Sequence, residues 1–256
     1  MQPVLFEFGP LTVYSYGVFA ALGFAAGAYV TYRSAQHANL STKNFVDLCL
    51  YTAVGALVGA RLWYVVFRPD EVDSFWQLFT LGGGGLAWPG GVFLGTAAFI
   101  FALNRNREPI WPWLDVAAIG ALVGLAVGKV GSFLNGDGFG SASGLPWAVE
   151  YTNEFSPGSV MTEPVHPVQL YAAVMLALAA FGLWWWRERA KEKPQTGMVF
   201  WAAIAAMAGI SLALEPIHAT VAALAFEGGF RAIVPTALAL IALAGFAFYR
   251  LREESR

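Results

Sequence analysis

Leu114-Asp-Val-Ala-Ala-Ile-Gly-Ala-Leu-Val-Gly-Leu-Ala-Val-Gly-Lys-Val-Gly-Ser-Phe-Leu-Asn135 is apolar enough to cross a bilayer as one helix. A transmembrane helix needs roughly 20 mostly apolar residues. The same stretch carries groups that a lipid-facing helix has no use for: Lys129, Ser132 and Asn135. Directly beyond it runs the glycine-rich Gly136-Asp-Gly-Phe-Gly140. A charge within a span costs several kcal/mol unless it is paired or hydrated. Non-helical backbone at that depth is tolerated only when buried in protein or lining a wet cavity. Gly120, Gly124, Gly128 and Gly131 fall near one helical face, which predicts close approach of a neighbouring backbone. The stretch reads as a packed helix leading into a polar site, or, more plainly, as a glycine-rich packing helix with a polar cap.

The rest of the chain fits a membrane setting. Of 256 residues, 57% are hydrophobic and 12% charged, with mean hydropathy +0.56, whereas soluble domains carry roughly 25% charged residues. That excludes an ordinary cytosolic enzyme, a disordered chain and, with a net charge of −2, a nucleic-acid binder. The lone Cys49 sits in an apolar run and reads as a packing residue, so no disulfide framework or multi-cysteine metal site is expected. The chain holds seven candidate spans: about 11–32, 45–67, 86–103, 114–135, 167–186, 198–214 and 231–249. The expected fold is all-α, a polytopic membrane protein forming a single transmembrane domain over 1–256. The opening Met1-Gln-Pro-Val-Leu-Phe-Glu-Phe-Gly-Pro10 lacks the features of a signal peptide.

Orientation is set by the Lys and Arg residues. Arg33, Lys43, Arg105, Arg107, Arg187, Arg189, Lys191, Lys193, Arg250, Arg252 and Arg256 fall on one side, against Arg68 and Arg231 on the other. Acidic residues Asp70, Glu71, Asp73, Glu150, Glu154 and Glu163 populate that second side. The expectation is an amino terminus outside and a cytoplasmic carboxyl terminus. Arg61 and Lys129 remain, both within spans at similar depth toward the outer face. They either snorkel or bind an anionic group.

Three further stretches carry candidate chemistry. Gly82-Gly-Gly-Gly-Leu-Ala-Trp-Pro-Gly-Gly91 opens the third span and reads alone as helix-start punctuation, with Pro89 acceptable only in the first turn. His166-Pro-Val-Gln-Leu-Tyr171 opens the fifth span; His166 is either a solvated interfacial residue or a proton acceptor near neutral pH. Tyr14 and Tyr16 suit an aromatic belt, and Glu215-Pro-Ile-His218 suits a helix stop.

Taken in order, these pieces resemble the bacterial prolipoprotein diacylglyceryl transferases. Tyr14-Ser-Tyr-Gly17 is similar to that family's aromatic-Tyr-Gly element, and Gly59-Ala-Arg-Leu-Trp-Tyr64 to its Gly-Gly-Arg-x-x-Tyr segment. Residues 128–140 resemble the signature Gly-Arg-x-Gly-Asn-Phe-x-Asn-Gly-Glu-x-x-Gly, and His166–Tyr171 resembles His-Pro-x-Gln-Leu-Tyr-Glu. The resemblance implies transfer of the diacylglyceryl group of phosphatidylglycerol to the lipobox cysteine of a prolipoprotein, with glycerol 1-phosphate leaving. It implies a multi-pass protein of the bacterial inner membrane, with phospholipid and the prolipoprotein signal-peptide region as partners and no cofactor or metal.

Carried over residue by residue, it gives His166, Lys129, Asp137 and Tyr16 catalytic roles. Arg61, Ser132, Asn135, Gly140, Gln169, Tyr171 and Glu215 are then substrate contacts. The chemistry needs a cation for the phosphate and a base or oriented polar group for the thiol. Lys129 stands where the signature has Arg, Ser132 where it has Asn, and Asp137 where it has Glu. Pro89-Gly90-Gly91 stands where the family has His-Gly-Gly, and Ser211 where it has an Arg four residues before Glu215. His166 is the replacement base on this reading. Two alternatives stay open: a catalytically silent paralogue that binds phospholipid or preprotein, and a small-solute transporter. Against the transporter, the cytoplasmic halves of the spans hold no ionisable residues except Asp47 and Asp115.

Overall fold

The computed structural model describes residues 2–8, 11–67, 85–189, 194–219, 235–242, 244 and 245. Outside them lie residues 82–84 of the glycine run and the charged positions Arg68, Asp70, Glu71, Asp73, Lys191, Lys193, Arg231, Arg250, Arg252 and Arg256. Residues 231–234, 243 and 246–249 of the expected seventh span lie outside as well, and residues 235–242 and 244–245 of it are helical.

Six long helices carry the described fold: α1 (Ser15–His37), α2 (Phe45–Phe67), α3 (Trp88–Arg105), α4 (Ile110–Asn135), α5 (Val168–Arg189) and α6 (Met198–Leu214). Four described helices are long and apolar enough to cross a membrane by length and composition: Phe45–Phe67, Ile110–Asn135, Val168–Arg189 and Met198–Ile217, the last including a 3-10 turn. This is a multi-pass membrane protein. The second and sixth expected spans coincide with α2 and α6. Helix α4 begins earlier than the expected 114, since Pro112 falls within its first turn, where a missing N–H costs nothing.

One element departs from the all-α expectation. Val4–Phe8 (β1) and Leu11–Tyr14 (β2) form an antiparallel hairpin, with Val4 opposite Tyr14, Phe6 opposite Val13, and an irregularity between Val4 and Phe6. The helix of the first expected span therefore starts at Ser15, not residue 11. Apolar content alone does not separate a short strand from a helix end, and Val13 and Tyr14 are β-formers. The Ser15 N–H, donating to Pro3 O at 2.9 Å, ties the hairpin to the start of α1.

The chain divides into two compact units, one of residues 1–34 with 114–256, the other of residues 35–113. In the first, α4, α5 and α6 share a core of Ala118, Leu122, Ala126, Leu176, Ala180 and Ala203. Helices α1 and α4 meet backbone to backbone through two glycine pairs. A Cβ on Gly23 would lie 2.5 Å from Gly124 O, and one on Gly27 2.7 Å from Gly120 O. This is the close approach that small residues permit in membranes. In the second unit, α2 packs on α3 in the same manner, with Gly59 and Gly90 facing one another's carbonyls. Fully buried Trp113 stacks on Phe45 at 6.1 Å between ring centroids and meets Phe99 edge-on at 6.4 Å.

Candidate functional site

The polar end of α4 is built by the way the helix stops. Gly136 takes φ +84°, a left-handed conformation that glycine adopts without strain. Its N–H and that of Asp137 both return to Ser132 O, at 2.8 and 3.2 Å, closing the last turn as a glycine C-cap. The Ser156 hydroxyl donates to Asn135 O at 3.0 Å, covering another terminal carbonyl. This reversal folds the chain back, so that Asp137 sits against the helix it has just left.

Asp137 is the hub of this helix end. The Asn135 side-chain amide donates to its Oδ1 at 3.0 Å, the Ser132 hydroxyl bonds its carboxylate, and the charge of Lys129 acts on it. Burial pushes the Asp137 carboxyl above its ordinary value, and the bonds from Asn135 and Ser132 and the Lys129 charge oppose the rise. Four residues of the signature stretch, Lys129, Ser132, Asn135 and Asp137, thus form one cluster. Tyr16, in the first turn of α1, is 43% exposed yet within electrostatic range of Asp137.

A second layer fixes the loop from outside. Gln169, 1% exposed in the first turn of α5, donates its Nε2 to Asp137 O at 2.8 Å and to the Tyr151 hydroxyl at 3.1 Å. Burial first, and then the Asp137 charge, raises the Tyr151 hydroxyl to about 12, against the bond from Gln169. Tyr151 therefore stays protonated throughout the physiological range. Phe139, Tyr151, Val165 and Ala219 pack together beneath this layer.

His166 is held by its backbone. Its N–H donates to Ser141 O and its carbonyl accepts from Gly140 N–H, both at 3.0 Å. Gly140 makes the contact possible, since a Cβ there would lie 2.7 Å from His166 O. Gly140, expected to touch substrate, thus has its own N–H engaged by His166. The His166 Nδ1 lies 3.5 Å from the Tyr171 hydroxyl, which accepts from Trp147 Nε1–H at 2.7 Å. Glu215 opens the 3-10 turn Glu215–Ile217, which delivers His218 into a bridge with Gly140 and Ile217 O to the N–H of Ser141 at 2.8 Å.

Arg61 lies in the other unit. It is 9% exposed, its Nη1 donates to Gly85 O at 2.8 Å, and its guanidinium lies 5.4 Å from the Tyr64 ring centroid. Pro89 falls in the first turn of α3, and Gly90 is a packing glycine against α2.

Sequence reasoning does not reach Tyr151, Ser156, Trp147 and His218 as site residues. The first three lie in a polar connection with no periodicity, and His218 looks like part of a helix stop. Only the folding back of residues 136–143 onto 165–168 and 217–219 brings them to the signature loop.

The family model described as Prolipoprotein diacylglyceryl transferase matches residues 3–250. The chain belongs to that family. Relatives named phosphatidylglycerol–prolipoprotein diacylglyceryl transferase agree. One from Synechococcus elongatus is 31% identical over 200 residues, covering 75% of this chain and 67% of the relative. One from Nostoc is 30% identical over 180 residues, covering 67% and 62%. One from Legionella pneumophila is 33% identical over 191 residues, covering 72% of each. The match thus spans about two thirds of the length of the first two relatives, 67% and 62%. Lys129, Ser132, Asn135 and Asp137, grouped at the end of α4, all lie within the matched residues.

Proposed function

We propose that this protein transfers the diacylglyceryl group of phosphatidylglycerol to the lipobox cysteine of a prolipoprotein, at the outer side of the bacterial inner membrane. Seven spans, an outside amino terminus and a cytoplasmic carboxyl terminus complete this reading. The observation that carries it is the Lys129–Ser132–Asn135–Asp137 cluster, a half-buried polar group built at a helix end within a mostly apolar protein. In the reaction a sulfur–carbon bond forms, the bond between the glyceryl carbon and the phosphate oxygen breaks, glycerol 1-phosphate leaves, and the thiol proton goes to a base.

Each step has a matching side chain. Lys129 neutralises the phosphate as charge builds on the leaving oxygen, a point charge where Arg would offer a planar fork. Ser132 and Asn135 orient the head group, and Asp137 holds both in place. His166 takes the thiol proton, with Tyr171 and Trp147 fixing its ring. Tyr16 and Gln169 are further polar contacts for the head group, and Glu215 acts through the turn that supports Gly140. Arg61, buried in its own unit, is assigned an anionic group on charge and burial alone.

The test is transfer of labelled diacylglycerol from phosphatidylglycerol vesicles to a lipobox peptide by purified protein. Transfer that falls by about 10²–10³ in Lys129→Ala supports the reading, this being the size of a lost transition-state contact. The departures at Lys129, Ser132, Asp137, Pro89 and Ser211 favour one second reading, a silent paralogue that binds phospholipid without reaction. Lipid binding without any transfer would establish it.

A further inference from the structure

The connection between α4 and α5 carries a turn whose surface does not suit water. From Asp137 to Glu150 the chain holds no charged residue in between. The tip, Gly144-Leu-Pro-Trp147, is exposed along its whole length, with Trp147 56% exposed and Leu145 40%. Turn tips in water are normally built from Gly, Asn, Asp and Ser. The backbone of this tip has little need of water either. The Leu145 N–H donates to Ser143 Oγ at 3.3 Å, Leu145 O accepts from the Ala148 N–H at 3.0 Å, and Pro146 has no N–H to satisfy. At the base, Ala142 and Val149 both pair with Val165, so the tip is pinned from either side.

Trp147 joins this tip to a lipid-facing surface. Its indole Nε1–H donates to the Tyr171 hydroxyl at 2.7 Å, and Tyr171 heads the outward stripe of α5. Val174, Leu178, Phe181 and Trp185 continue that stripe at helical spacing, all exposed, while Ala172, Leu176 and Ala180 on the opposite face are buried. On a helix long and apolar enough to cross a membrane, such a stripe faces acyl chains. We infer that the turn of residues 144–147 is seated in the interfacial layer of the bilayer, with Leu145 and Trp147 among the head groups and upper acyl chains. The occupant is the lipid surface because the turn continues the apolar stripe of α5 directly. Tryptophan suits that layer, having an apolar body and one polar handle, and here Tyr171 takes the handle. A turn held there also keeps His166, the neighbour of Val165, close to the head groups.

The experiment places the environment-sensitive fluorophore NBD on the turn, through Leu145→Cys in a Cys49→Ala background. The full chain is reconstituted in phosphatidylcholine vesicles, with or without phosphatidylcholine brominated on its upper acyl chain. Leu178→Cys on the lipid-facing stripe and NBD-cysteine in water are the two references. The label at position 145 is expected to emit to the blue of NBD-cysteine and to lose intensity with the brominated lipid. Aqueous iodide is expected to quench it several-fold less than NBD-cysteine. Emission and iodide quenching equal to those of NBD-cysteine, with no effect of brominated lipid, overturn the inference and leave the turn in water. Protection from both quenchers overturns it as well and gives the turn to a protein partner, a second copy or the acceptor peptide. The unlabelled protein supplies a second measurement. The emission lost in Trp147→Phe is that of Trp147 itself, and the brominated lipid is expected to quench it; an unquenched Trp147 defeats the inference. Neither measurement requires lipid transfer, so the result stands whichever way the transfer reading falls.

Discussion

Asp115, in the second turn of α4, accepts the main-chain N–H of Gly197 at 2.6 Å, although 82 residues separate them. Its other oxygen accepts from Phe200 N–H at 2.9 Å, so one carboxylate covers two orphan donors at the start of α6. Helix α6 has no side-chain cap of its own; Gly197 precedes it. Asp115 supplies that cap from another helix, with the sign of charge that a helix N-terminus favours. Asp115→Ala should cost roughly 1–3 kcal/mol by leaving buried N–H groups unpaired, and Asp115→Asn less, because one amide oxygen still accepts. Denaturation in detergent would show this as a lowered midpoint, and an unchanged midpoint for Asp115→Ala would count against the cap.

The glycines of α4 are predicted to divide by position. Gly124 faces Gly23 with no room for a side chain, whereas a Cβ on Gly128 meets nothing within 4 Å. Gly124→Val should therefore force α1 away and lose about 1–3 kcal/mol, the usual cost of overpacking. Gly128→Ala should stay close to the parent stability or gain slightly from its better helix propensity. Thermal unfolding of the two variants side by side decides the matter, and equal losses would refute the packing.

The contrast shows what the sequence discloses. The glycine spacing from 120 to 131 announces a packing face, and a Cβ on three of its four glycines would run into α1, whereas one on Gly128 would not. Spans were legible because bilayer thickness sets helix length, independent of any partner. The hairpin at Val4–Tyr14 was not, since a short, mostly apolar run satisfies either a strand or a helix end. The cluster around Asp137 was legible because local chain reversal builds it from neighbours in sequence. Its outer layer was not. Tyr151, Ser156 and His218 reach it through contacts between segments far apart in sequence, which leave no periodic trace.

Asp137 gives the protein a pH-dependent stability of definite sign. Its carboxyl is raised by burial above the ordinary 3.8, so the folded protein holds the proton more tightly than the unfolded chain does. The stability this contributes is fully present below the unfolded value and is lost as pH rises through the folded one. At neutral pH the ionised form is a cost to the fold that function tolerates. Asp137→Asn should therefore match or exceed the parent protein in stability at pH 7, lose that advantage in mild acid, and lose transfer activity. Unfolding midpoints between about pH 4 and 7 test the first part, and a variant less stable at pH 7 would contradict it.

His166 carries the last expectation, and the contacts around it grade the outcome. As the group that removes the thiol proton, its replacement by Gln should lower kcat by about 10²–10⁴, the range for a positioned general base. The Tyr171 hydroxyl lies 3.5 Å from His166 Nδ1 and accepts from Trp147 Nε1–H, so each acts through its neighbour. Tyr171→Phe should then cost less than His166→Gln, and Trp147→Phe less again, with KM for the peptide little changed in both. The split between kcat and KM, read beside the unfolding midpoint, separates positioning from mere support of the fold. Loss of the Tyr171 hydroxyl should lower kcat at an unchanged midpoint, whereas a lowered midpoint with kcat and KM both altered would mean that Tyr171 only holds the loop. A His166→Gln protein that transfers lipid at the parent rate would remove His166 from the chemistry and return the proton step to the Asp137 cluster.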